Sequence, residues 1–173
     1  MDIEQKQLEL DKISAHILAI HMIAQNIHYK TKGKSFWAVH KLMQLPIDIY
    51  PNLTDKIYEE IFMPSDGLEI PKPKNRLKHA VEICEDHTDD LDGLCLLITH
   101  TMTLLDNYKS ERRAENVVMD EIASTLAQIK GFIKATLDTK EQKFEMVGNS
   151  SQKAGNPEGM RINTTSIIFK GKK

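Results

Sequence analysis

Little in this chain points toward a membrane, an oxidising compartment or a β-sheet. Only two cysteines occur, Cys84 and Cys95, in a run that reads as helix. Their separation along such a helix would be about 16 Å at ~1.5 Å per residue, well beyond the roughly 7 Å between Cα atoms that a disulfide tolerates. Free thiols of this kind suit a reducing compartment. No apolar run approaches the ~20 residues that would span a bilayer, and the charged opening MDIEQKQLEL does not resemble a secretory leader. A cytoplasmic protein without a membrane partner is therefore expected. Long alternations of Val, Thr and Tyr are missing, which argues against strands. The formal net charge is only −2, so the chain as a whole does not attract polyanions.

What is present is helix-forming. Leu, Ile, Met, Lys, Glu and Gln dominate, and 40% hydrophobic with 28% charged residues is ordinary for a globular domain. Residues 4–30 read as one helix, with Leu10, Ile13, Ile17, Ile20, Ala24 and Ile27 at steps of three and four. Gly33 can take positive φ and ends it, and Ser35 is positioned to cap the next helix, 36–63. Pro46 and Pro51 fall inside that second stretch. Each removes a hydrogen bond and costs roughly 3 kcal/mol, so a kink or a break and restart is expected. The segment from Pro64 to Pro73 is too long for a tight helical hairpin. Leu77, Val81, Cys84, Thr88, Leu91, Cys95, Ile98, Met102 and Leu105 then hold a near-3.5 spacing that predicts one long third helix. Val118, Ile122, Leu126, Ile129, Ile133 and Leu137 define a fourth. The expected fold is all-α, a four-helix bundle over 1–138 with a long connection between helices 2 and 3. Residues 139–173 carry seven basic against three acidic side chains and few apolar ones, which predicts a flexible, basic C-terminal tail.

The most informative stretch is His28-Tyr29-x-x-x-Gly33-x-x-Phe36-x-x-x-His40, followed by Asp55-x-x-x-Glu59. A hairpin between the first two helices could bring both imidazoles together, and Asp55 and Glu59 are neighbours on a helix face. Imidazole with carboxylate suits Fe(II) and similar first-row ions better than Ca or Mg. Locally, each residue also has a plainer reading. A histidine near a helix end is commonly a cap or a surface group, and Asn52–Asp55 could be a capping box restarting a helix after Pro51.

From His28 to Glu59 the chain resembles the Dps miniferritins, the DNA-protection proteins of starved cells. The family pattern places histidine, an aromatic, glycine, phenylalanine and histidine at these spacings, then Asp-x-x-x-Glu without insertion. Coarser similarity covers about residues 5–138. The resemblance implies a ferritin-like hollow dodecamer of four-helix bundles that oxidises Fe(II) with peroxide or oxygen, stores the ferric product and so limits oxidative damage. It also implies non-haem iron at a two-fold interface, with His28 and His40 from one subunit and Asp55 and Glu59 from its neighbour. Two departures bear on activity. Gln44 stands where the family has an aspartate, and a glutamine carbonyl is a weaker ligand; Asp48, one turn on, is a candidate substitute. Tyr29 replaces the usual tryptophan, with Trp37 nearby in sequence. The alternative is a ferroxidase-impaired Dps-like shell or DNA-binding protein with a structural role, using the basic tail for phosphate contacts. His16, His21, His79 and His100 read as packed or surface residues. The acidic run Glu85–Asp92 reads as a solvated helix face.

Overall fold

Asp2 opens the first helix by accepting a hydrogen bond from the Gln5 amide at 2.8 Å, an N-cap that satisfies one of the four free amides of the first turn. In the computed structural model, which describes the backbone of residues 2–33 and 35–150 and side chains as far as Asp138, this helix (α1) runs Ile3–Lys30. Its apolar stripe is buried as the spacing predicts: Leu10, Ile13, Ile17, Ile20, Ala24 and Ile27 all lie in the core. Gly33 has φ +83°, a left-handed turn that glycine adopts without a Cβ penalty.

The second helix, α2, spans Phe36–Ile57 and continues as one π turn, Tyr58–Phe62, in which the Met63 amide reaches back to the Tyr58 carbonyl at 2.9 Å. Pro46 and Pro51 both lie inside α2, which neither stops nor restarts at either. Asn52–Asp55 is therefore helix interior, and the capping-box reading is corrected. Each proline forfeits one backbone hydrogen bond. Burial of Leu42, Met43, Pro46, Leu53 and Ile57 on one face offsets that loss, because tertiary packing outweighs local propensity.

The connection after α2 is tied to α1 by a two-point clamp. The Gln7 side chain donates to the Glu69 carbonyl and accepts from the Glu69 amide, both at 2.8 Å. Pro73 then starts α3, Pro73–Glu85, followed by α4, Leu91–Asn107, and α5, Arg113–Ser150. The single long third helix is thus two. Asp90 caps α4 by accepting from the Gly93 amide and the Thr88 hydroxyl, each at 2.8 Å. A Cβ on Gly93 would lie 2.1 Å from the Thr88 carbonyl oxygen, so this close turn requires glycine there. Asp89 anchors the turn to the end of α1, accepting from Lys30 at 2.6 Å. As a consequence Leu77 (50% exposed) and Val81 (39%) leave the seam, and α3 buries only Ala80 fully.

All the described elements are helical, and no strand occurs among the described residues. α1 is the central packing element, in contact with α2, α3 and α4, and Val118, Met119, Ile122, Leu126, Ile129 and Ile133 of α5 join the same apolar cluster. Contacts divide the chain into two units, residues 1–139 and 140–173. The backbone of α5 runs on to Ser150, past Leu137, where the apolar pattern ends. The expected flexible basic tail falls mostly outside the described residues, as do all its side chains.

Cys84 and Cys95 are both free and half-buried, now on different helices. No helix of the described residues is long and apolar enough to cross a membrane.

Candidate metal centre

The turn at Gly33 folds α2 back onto α1 and brings His28 and His40 face to face. Their rings stack with centroids 3.7 Å apart at an interplanar angle of 29°. His28 is buried, and its Nδ1 lies 3.2 Å from the His40 backbone carbonyl. A carbonyl only accepts, so Nδ1 carries the proton and Nε2 keeps a lone pair. Metal-ligating histidines are commonly held in one tautomer by this kind of bond. His40 contributes a buried Nδ1 without a hydrogen-bond partner, and its ring also packs on Phe36 with centroids 4.9 Å apart. The aromatic positions of the sequence pattern therefore surround the imidazole pair. Tyr29 and Trp37 touch the two histidines edge-on while remaining 77% and 69% exposed.

The carboxylates lie elsewhere. Asp55 is fifteen residues beyond His40 on the same continuous helix, about 22 Å along it at ~1.5 Å per residue. Glu59 falls in the π turn. Both are exposed, and neither has an ion pair or side-chain hydrogen bond among the described residues. Nearby acids are engaged instead: Lys56 pairs with Glu121, and with Glu60 at 3.7 Å. Gln44 and Asp48 are bound to each other, the Gln44 amide donating to Asp48 at 2.5 Å. Within one chain the fold brings His28 and His40 together and leaves Asp55 and Glu59 far along the same helical stretch, while Gln44 follows His40 by one helical turn. No group of three or more His, Cys, Asp or Glu able to hold a metal occurs among the described residues.

Two polar clusters escaped the reading by motif. One is Glu115, fully buried, which receives Lys6 at 2.7 Å, Tyr108 Oη at 2.9 Å, Arg112 at 3.1 Å and Ser65 Oγ at 3.3 Å. Burial pushes its pKa up, but the hydrogen bonds from Lys6, Ser110 and Tyr108 outweigh that and hold it below the usual value. Burial and the Glu115 carboxylate push Tyr108 the other way, so its hydroxyl keeps its proton. These partners come from α1, the connection and the α4–α5 turn, so no local spacing announces them. The other is the pair His87 and His100, from the α3–α4 turn and α4. His87 Nε2 and His100 Nδ1 are 3.3 Å apart.

Comparisons of the chain with protein-family models, with curated proteins and with solved structures return no match.

Proposed function

We propose that this chain is a Dps-type, ferritin-like subunit that takes up and oxidises Fe(II) at a site shared between subunits. The observation that carries the reading is the stacked His28–His40 pair, with His28 buried and its tautomer set by a backbone carbonyl. Iron is here the substrate, with peroxide or oxygen as electron acceptor and ferric ion as product. The donor set fits it: His28 offers Nε2, His40 has an unpartnered buried nitrogen, and Asp55 and Glu59 are unpaired carboxylates. The separation of about 22 Å along α2 means that His28 and His40 would be completed by Asp55 and Glu59 of a second copy. Two large exposed aromatics beside the histidines, Tyr29 and Trp37, support a face covered by another subunit.

A ferroxidase-impaired shell is the second reading, and the Gln44–Asp48 hydrogen bond favours it. That bond occupies the one carboxylate placed to compensate for the neutral amide at position 44.

The test is complementation between inactive subunits. Anaerobic Fe(II) is added to the purified assembly, then peroxide or oxygen, and ferric absorbance is followed. His28→Ala and Asp55→Ala assemblies are each expected to lose fast oxidation. Co-assembled, they should regain part of it, since some interfaces then pair an intact histidine half with an intact carboxylate half. Wild-type activity in the double variant His28→Ala/Asp55→Ala would overturn the site. An intact wild-type assembly without saturable Fe(II) binding would establish the impaired shell.

A further inference from the structure

Helix α3 carries its charges against the direction of its own dipole. Lys72 sits at the N-cap and Lys74 in the first turn, whereas Glu82, Glu85 and Asp86 gather at the C-terminal end. A helix dipole favours the reverse, acids at the start and bases at the end. Lys72 has no acceptor to offer the free amides of the first turn. The i,i+4 pair Lys78–Glu82, 3.8 Å apart, also runs in the less favourable order. One side of α3 packs toward α1, with Ala80 buried and Ile83 and Cys84 half-buried against the core. The other side consists of Lys74, Leu77, Lys78, Val81, Glu82 and Glu85, at steps of three and four and all exposed. Leu77 and Val81 lie at its middle, with bases toward one end and acids toward the other.

We propose that this face of α3 binds the same face of a second copy of the chain, the two helices antiparallel about a two-fold axis. The charge order is then self-complementary. The Lys74–Lys78 end of each copy lies along the Glu82–Glu85 end of the other, and Leu77 of each meets Val81 of the other between them. The arrangement that opposes the dipole within one helix matches it across the pair, because the N-terminus of each helix gains acids beside it and the C-terminus gains bases. A parallel pairing would instead set like charges side by side. With 13 residues, α3 is about 20 Å long at ~1.5 Å per residue. That length gives one helix crossing, so the contact belongs with the small, transient interfaces. It involves none of His28, His40, Asp55 and Glu59 and is independent of the iron reading.

Exchange of charge tests the pairing. Lys74→Glu/Lys78→Glu makes the face uniformly acidic, and Glu82→Lys/Glu85→Lys makes it uniformly basic. Sedimentation velocity of the full chain over a range of concentrations should show wild type associating. Each double variant should need about tenfold or more higher concentration to do so, since like charges then meet across the axis. An equal mixture of the two should associate as wild type does, because an all-basic helix then faces an all-acidic one. The fourfold reversal Lys74→Glu/Lys78→Glu/Glu82→Lys/Glu85→Lys restores complementarity within one chain and suits the helix dipole, so it should also associate as wild type does. A wild type that stays monomeric, double variants that associate unchanged, or a fourfold reversal that fails to associate would each overturn the proposal. So would a mixture as dissociated as its components, an outcome that would assign the face to a different partner.

Discussion

At the scale of single residues, the chain places its unusual side chains where they are held rather than merely buried. Glu115 is the clearest case, a carboxylate removed from water yet ringed by donors from three parts of the fold. Removing one partner of such a group leaves the others desolvated and unpaired. Glu115→Ala is therefore expected to lower the unfolding free energy by about 3 kcal/mol, read as a shift in the urea midpoint at neutral pH. Its pKa is lowered on folding, so the unfolded chain takes up that proton first. Stability from Glu115 is thus present above the ordinary carboxylate range and lost as pH falls through the folded value. The acid limb of the stability profile should be shallower in Glu115→Ala. His16 and His21 act in the same direction at higher pH. Burial lowers both, so each stabilises fully above its unfolded value of about 6.5 and progressively less below it. Urea midpoints measured at pH 7 and pH 5 should fall, and His21→Gln should reduce the drop.

At the scale of elements, the α3–α4 turn and the α2 prolines show where a periodic pattern misleads. The seam from Leu77 to Leu105 keeps its spacing in the sequence, but the break at the turn takes Leu77 and Val81 out of the core. Thr88-Asp89-Asp90 ahead of Leu91 was the signal for a helix start: a capping oxygen before an apolar run, with Asp92 in the first turn. Asp90→Ala should cost about 1 kcal/mol, the usual loss of an N-cap. Gly93→Ala should cost more, on the order of 2–3 kcal/mol, since its methyl group meets a backbone carbonyl that cannot move without unwinding the turn. Thermal unfolding of the two variants checks both the order and the size. Pro46 and Pro51 mislead in the opposite sense. Their local cost is real, but α2 is long, and its buried face holds it through both positions.

At the scale of the whole molecule, the exposed aromatic patch bears on assembly. Trp37→Glu puts a charge beside His40 on the face that the proposed function assigns to a second copy. Light scattering should then show smaller species than wild type, with helix content by circular dichroism unchanged. An assembly of wild-type mass would remove that face from the interface.

The sequence by itself determined that the chain is helical, where α1 and α2 lie, that Gly33 turns them, and which residues of α1 enter the core. It also brought His28 and His40 within reach of one another. These are consequences of local spacing, since a helix repeats every 3.6 residues and a short turn leaves a hairpin as its neighbour's only course. Tertiary structure alone decided the rest. It stacked the two imidazoles, held Asp55 and Glu59 well beyond them on α2 and its π turn, buried Glu115 among distant donors and set His87 beside His100. Such meetings depend on how helices pack across the core, and packing joins residues whose separation in the chain carries no period.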